Sequence, residues 1–385
     1  MMRGKAEMKR LGIYLHIPFC RSKCLYCDFC SLPHPQAEQT ERYVRVLCED
    51  LTRRAEACGG YLVDTVYFGG GTPTVLPDAW LAEILETVFR HYAVSPDAEI
   101  TAECNPATGD LAYFSRLRSA GFNRLSIGLQ SAEERELRAL GRLHGFADFC
   151  RTWEQARMAG FRNLSADVMS GIPGQSTESR LETLEKLCEL EPEHISSYDL
   201  IIEEGTPFAR MADRLPLPDE EEGRRMYFEG IRFLESRGWK QYEISNFAKP
   251  GYESRHNLKY WNCDEFLGFG PAAYSDFLGV RFGNSRDVAA YIDGREILAE
   301  SETPSLRERA NECVMLQMRL CRGVDTVEFA ARFGMDFEAC FGAGLQKYVP
   351  HGLVRKTARG YALTPQGMFV SNSILSEILD FSEKL

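Results

Sequence analysis

Residues 16–30 read HIPFCRSKCLYCDFC. They set Cys20, Cys24 and Cys27 in a C-x3-C-x2-C loop directly after a β-rich run, Gly12–Ile17. Thiolates are soft ligands suited to iron–sulfur clusters or to zinc. A tight loop can gather three sulfurs round one corner of a cubane and leave the fourth iron open. The competing reading is a structural zinc site. Zinc takes four ligands, and Cys30, His16 or His34 could supply the fourth. The aromatic Tyr26 before the third cysteine and the strand pattern behind the loop favour the cluster.

Outward from the loop, short β-rich runs alternate with longer helical patterns. The predicted strands are Gly12–Ile17, Thr65–Gly69, Glu99–Cys104, Arg124–Leu129, Ser165–Met169 and Ile195–Leu200. Helices are predicted between them, as at Glu38–Ala57 and Ala79–His91. In the first of these, Tyr43, Leu47 and Leu51 recur on one face. Such alternation implies parallel strands with right-handed crossovers. Six units predict an α/β fold, a partial (β/α)6 TIM-like barrel, with functional groups at the C-terminal strand ends.

The chain has 385 residues, 44% apolar and 26% charged, with a formal charge of −11. This length predicts more than one domain. The acidic balance argues against a nucleic-acid partner, since phosphate binding needs a basic face. The apolar stretch from Leu11 is broken by His16 and Pro18 and reads as a strand, not a signal peptide. Cys48, Cys58, Cys104, Cys150, Cys188, Cys263, Cys313, Cys321 and Cys340 are scattered singly, as expected of reduced thiols in a cytoplasmic protein.

Prolines at 207, 216 and 218 and the acidic run Asp219–Glu222 mark the exit from the barrel, giving a first unit over 1–210. A second, 211–300, contains a predicted helix Glu220–Arg237, a strand near Tyr242–Ile244 and the segment HNLKYW. A third, 301–385, carries helical patterns at Leu306–Leu320, Thr326–Phe333 and Phe337–Tyr348. A hairpin Leu353–Leu363 and a helix Pro365–Leu379 follow, so a mainly helical, winged-helix-like domain is expected.

Polar residues cluster at the predicted strand ends. Gly69–Gly71 and Thr72 close the second strand, where glycine allows backbone to approach a ligand or simply to turn. Glu103 and Gln130 end the third and fourth strands. Arg142 is placed in the next helix and Asp167 on the fifth strand. A carboxylate accepts hydrogen bonds from ribose or amino groups, and arginine pairs with a carboxylate. Each could instead be a buried tie between strands. His256 sits with Asn257, Tyr260 and Trp261 in H-N-x-x-Y-W, which suits either an imidazole ligand to haem iron or a packed, hydrogen-bonded residue.

The cysteine loop together with FGGGTPT, SIGLQS, GRLHG, GIPGQ and HNLKYW resembles the radical S-adenosylmethionine (SAM) superfamily. Within it the motifs resemble the oxygen-independent coproporphyrinogen III oxidase-like branch, and the HemW family of haem chaperones above all. The resemblance implies a 4Fe–4S cluster on Cys20, Cys24 and Cys27. It implies SAM contacts from Gly70, Gly71 and Thr72 and from Glu103, Gln130, Arg142 and Asp167. Tyr14 and Tyr26 would flank SAM, GIPG would shape the adenine pocket, and His256 would be the haem residue, with Cys263 nearby. The superfamily's chemistry is reductive cleavage of SAM to an adenosyl radical. The implied partners are haem, acceptor haem proteins such as membrane-bound respiratory proteins, an electron donor such as flavodoxin or ferredoxin, and a second copy of the chain. The rival is the decarboxylating oxidase itself. Those enzymes have a further cysteine two places after the third, where this chain has Phe29, and a long extension before the first strand, where it has about ten residues. A haem-degrading or haem-methylating enzyme fits less well.

Overall fold

The computed structural model describes residues 8–379. The strands β1 (Lys9–Ile17), β2 (Tyr61–Gly70), β3 (Val94–Cys104), β4 (Arg124–Gln130), β5 (Asn163–Ser170) and β6 (His194–Asp199) pair in that order, all parallel. The connecting helices include α1 (Ala37–Arg54), α2 (Asp78–His91), α3 (Leu111–Ala120), α4 (Glu134–Ala139), α5 (Phe146–Met158) and α6 (Thr177–Cys188). Six consecutive strand–helix units therefore form the expected partial barrel.

Alternation along the strands makes two different faces. Ile13, Leu15, Val66, Phe68, Leu125, Ile127, Ala166 and Val168 point outward into one apolar core with the helices. Residues of the other parity, such as Tyr14, Tyr67, Glu103 and Asp167, point into the lumen. Period two thus separates packing from chemistry. Tyr43, Leu47 and Leu51 of α1 are fully buried in that core, as their spacing predicted.

The barrel extends on both sides. After α7 (Glu220–Ser236), Asn246–Ala248 pairs antiparallel to β6 and to Lys240–Gln241. The expected strand at Tyr242–Ile244 is instead the turn between these two segments, with only Glu243 bridging to Leu320. Beyond α8 (Arg255–Asn262), β7 (Phe266–Phe269) lies parallel beside β1. Gly268 and Gly270 interrupt the apolar run there. A Cβ on Gly268 would meet the Tyr274 carbonyl oxygen at 2.1 Å, so the strand needs glycine at that place. Tyr274–Phe277, Val280–Asn284 and Leu298–Glu302 complete this edge, around α9 (Val288–Ile292).

A second apolar core gathers Val314, Phe329, Phe337, Leu345, Tyr361 and Leu375. It is built from α10 (Leu306–Gln317), α11 (Thr326–Phe333), shorter helices and the antiparallel strands Val324–Asp325, Gly360–Leu363 and Val354–Lys356. The last predicted helix divides into Pro365–Phe369 and Ser371–Ile378 at Val370, whose backbone leaves the helical region. Among the described residues no helix is long and apolar enough to cross a membrane.

Candidate functional site

The cysteine loop folds over the C-terminal ends of the strands and roofs a cavity of about 560 Å³. Cys20, Cys24 and Cys27 all line it. The loop is tied down by backbone: Leu25 donates to Leu140, Phe208 donates to Leu25, and Thr72 donates to Phe19 at 2.7 Å. Gly71 sits so close to the loop that a Cβ there would meet the Phe19 carbonyl oxygen at 2.6 Å.

The sulfurs have a shared outer ring of partners. Thr72 Oγ1 lies 3.5 Å from Cys20 Sγ and accepts from Asn105 Nδ2 at 2.7 Å. Asn105 Oδ1 in turn accepts from Arg142 Nη2 at 2.6 Å, and Arg142 Nη1 donates to Cys24 Sγ at 3.6 Å. Burial pushes the Cys27 thiol up to about 11 and raises that of Cys20. A metal must displace those protons to bind.

Three soft donors fit an iron–sulfur cluster, and the expected fourth zinc ligands are turned elsewhere. Cys30 Sγ bonds to the Arg286 carbonyl and packs in the apolar core. His16 bonds to the Tyr14 hydroxyl at 3.1 Å and to the Cys30 carbonyl at 2.8 Å, and burial lowers its pKa to about 4. His34 lines a separate surface hollow beside Trp80. Among the described residues no three His, Cys, Asp or Glu side chains converge as for a single metal ion. Three thiolates occupy three of a cubane's four irons and leave the fourth iron open to another ligand.

Below the roof the lumen is polar. Tyr67 donates to Glu103 Oε1 at 2.9 Å, and the Gly70 amide donates to Oε2 at 3.2 Å. Burial, reinforced by the Asp167 carboxylate, raises the Glu103 pKa to about 7. Ser126 donates to Asp167 at 3.0 Å, and burial raises that pKa too. Gln130, held at a φ of 70°, accepts from Tyr198 at 3.0 Å. A left-handed backbone at a non-glycine strand end is a conformation that functional sites retain. These groups can bind ammonium, carboxylate and hydroxyl functions, as an amino-acid-bearing nucleoside requires.

The expected site residues Tyr14, Tyr26, Gly71, Thr72, Glu103, Gln130, Arg142, Asp167 and His256 line this cavity with the three cysteines. Gly70 lies behind it, against the His16 ring, and contributes its amide to Glu103. Arg142 is not helical. It occupies the loop between α4 and α5, which lets its side chain reach back under the cysteines.

Two family models match the chain: the radical SAM superfamily over residues 14–187 and the HemN C-terminal domain over residues 305–370. The heme chaperone HemW of Bacillus subtilis is 34% identical over 95% of this chain and 98% of its own length. The heme chaperone HemW of Escherichia coli is also 34% identical, over 97% and 99%. This chain belongs to the HemW family. The mouse radical S-adenosyl methionine domain-containing protein 1, mitochondrial, is 33% identical over 96% of the chain and 87% of that protein. The structure of the E. coli coproporphyrinogen III oxidase HemN superposes with a TM-score of 0.84 at 24% identity, over 97% of this chain and 91% of that one. That likeness is one of fold. Membership of the radical SAM superfamily implies a 4Fe–4S cluster and SAM.

Within this member of HemW, the sequence reading missed Tyr67, Asn105, Arg124, His194 and Tyr198, all on the cavity wall. Inward parity beside Tyr14 and Glu103 was the signal that could have found Tyr67. Arg124 is 1% exposed, and its Nε has no partner among the described residues. His256 is fully buried. Its Nδ1 meets Thr65 Oγ1 and its Nε2 meets the Tyr260 hydroxyl, each at 2.8 Å, and its ring stacks on Tyr67. Burial lowers its pKa to about 3. In this arrangement neither nitrogen is free for a haem iron. Cys263 faces away from the cavity, into the second core.

Proposed function

We propose that this chain is a cytoplasmic haem chaperone of the radical SAM type. It holds a 4Fe–4S cluster on Cys20, Cys24 and Cys27, binds SAM in the lumen and hands haem to acceptor haem proteins, including membrane-bound respiratory ones. A flavodoxin or ferredoxin supplies electrons, and a second copy of the chain is a further partner. When bound, the cluster offers SAM an open iron and an electron. Gly71 and Thr72 border the methionyl part of SAM with backbone, while Glu103 and Asp167 accept from its amino and hydroxyl groups. Arg142 balances the charge of the thiolates through Cys24. Tyr14 and Tyr26 close the walls and Gln130 the far side. His256 shapes the wall through Thr65 and Tyr260, and would have to release one of those bonds to meet haem iron.

The observation that carries this reading is that Cys20, Cys24 and Cys27 all line the roof of one cavity, above a lumen of buried carboxylates. The transfer of haem rests on relatives called heme chaperones that match nearly the whole chain. The second reading, a coproporphyrinogen III oxidase, is favoured by the shared fold alone. Against it stands Phe29, 67% exposed on the cavity rim, where those enzymes carry a cysteine. Reconstituted, reduced protein is incubated with coproporphyrinogen III and SAM, and in parallel with haem. A stable haem spectrum without decarboxylated porphyrinogen supports the chaperone; decarboxylated product selects the oxidase.

A further inference from the structure

Cys263 ends α8 in a left-handed conformation, with φ 55° and ψ 41°. That turn swings its side chain out of the barrel and onto the second core, where Cys313 of α10 is buried. Cys263 packs against the core in which Cys313 is buried, where α8 and α10 lie side by side. This contact joins a helix that walls the cavity to the first helix of the C-terminal unit. Both cysteines are free.

Cys313, 2% exposed, is the member of the pair that borders a surface cleft. Cys313 lines a cleft of about 250 Å³ together with Asp264, Glu328, Arg322 and Arg332. Arg332 donates to the Asn262 carbonyl at 2.8 Å and to that of Cys263, while Arg322 donates to Asn262 Oδ1 at 2.6 Å. The guanidiniums thus hold the end of α8 beside the cleft. Two cations and two anions in one cleft suit a ligand that itself carries ammonium and carboxylate groups. The neighbouring Cys263 thiol lowers the Cys313 pKa below the usual thiol value. Attack on a disulfide requires the thiolate.

We propose that Cys263 and Cys313 are a redox-active dithiol that a small zwitterionic peptide disulfide of the glutathione class oxidises from this cleft. The Cys313 thiolate attacks one sulfur of the small disulfide, forming a mixed disulfide and releasing one thiolate. The Cys263 thiolate then attacks the Cys313 sulfur, forming the intramolecular disulfide and releasing the second. The two protons lost by the protein thiols go to the two released thiolates. The protein is oxidised by two electrons, and the small disulfide is reduced to two thiols. The new bond fastens α8, with His256 and Tyr260, to α10.

The test uses full-length, cluster-loaded protein under anaerobic conditions, incubated with oxidised glutathione, alkylated and mapped by mass spectrometry. The expected result is a Cys263–Cys313 cross-linked peptide that disappears with excess reduced glutathione. In Cys263→Ser, a stable glutathione adduct should remain on Cys313. The proposal is overturned if both cysteines of the wild-type protein stay alkylatable while the exposed Cys340 is modified. An adduct on Cys263 in the wild-type protein, without cross-link, overturns it equally.

Discussion

Cys20 and Cys24 are the two ends of one hydrogen-bonded chain, running through Thr72, Asn105 and Arg142. The cysteine loop is thereby wired to the ends of β2 and β3 and to the loop after α4. Charge and hydrogen bonding at the sulfurs set a cluster's potential, so this chain is where the barrel can tune it.

Replacing Arg142 with methionine tests that link. It removes a cation beside Cys24 and strips the donor from Asn105 Oδ1 and the Gly128 carbonyl, which lies 2.9 Å away. Leaving buried acceptors unpaired costs roughly 1–3 kcal/mol each. The cluster should still assemble, but its reduction potential should fall. A redox titration followed by electron paramagnetic resonance measures this, and an unmoved potential would remove Arg142 from the tuning role.

Gly71→Ala should be worse than its size suggests. The added Cβ would press on backbone atoms of Phe19 and Ile17, the nearest at 2.6 Å, and backbone does not yield like a flexible side chain. Overpacking of this kind costs about 1–3 kcal/mol. The strain falls on the residue before Cys20, so iron retained per chain after anaerobic reconstitution should drop while the far-UV circular dichroism is kept.

The stability of the ligand-free protein should fall as pH rises. Glu103 titrates near 4.5 when exposed and at about 7 here. The folded state therefore binds more protons than the unfolded state between those values. Its favourable contribution is complete below about 4.5 and is lost as pH passes through 7, a change of about 3 kcal/mol. Glu103→Gln should flatten that slope in urea titrations and weaken SAM binding. An unaltered slope would place the pH dependence elsewhere.

His256→Ala should act on stability before it acts on haem. It leaves Thr65 and Tyr260 without their partner and opens a void beside Tyr67. A loss of about 2–4 kcal/mol is expected. The Soret band of bound haem should keep its position. A shifted band would show that the imidazole leaves Thr65 or Tyr260 to ligate iron.

Much of the site could be read from the chain because two local patterns coincide. The thiol spacing fixes the loop, and Glu103, Gln130 and Asp167 stand at or near the ends of runs with clear β texture. What stayed hidden depends on long-range packing. Asn105 follows a strand and looks like any turn residue until Arg142 reaches it from elsewhere in the chain. Arg124 begins β4 and looks like a surface charge, yet the barrel buries it. Phe266–Phe269 is a strand only because β1 offers a free edge to short, glycine-interrupted backbone. His256 was legible as a residue of interest, but its two hydrogen bonds were not.

Haem transfer from the loaded chain to an acceptor decides whether it is a chaperone. The cluster-loaded chain is saturated with haem, freed of excess, and mixed with the apo form of a respiratory b-type haem protein. The Soret band of the chain should decay while the acceptor gains haem and activity. No decarboxylated porphyrin should form when coproporphyrinogen III and SAM are supplied instead. Haem that never leaves the chain, or turnover of coproporphyrinogen III, would contradict the chaperone role.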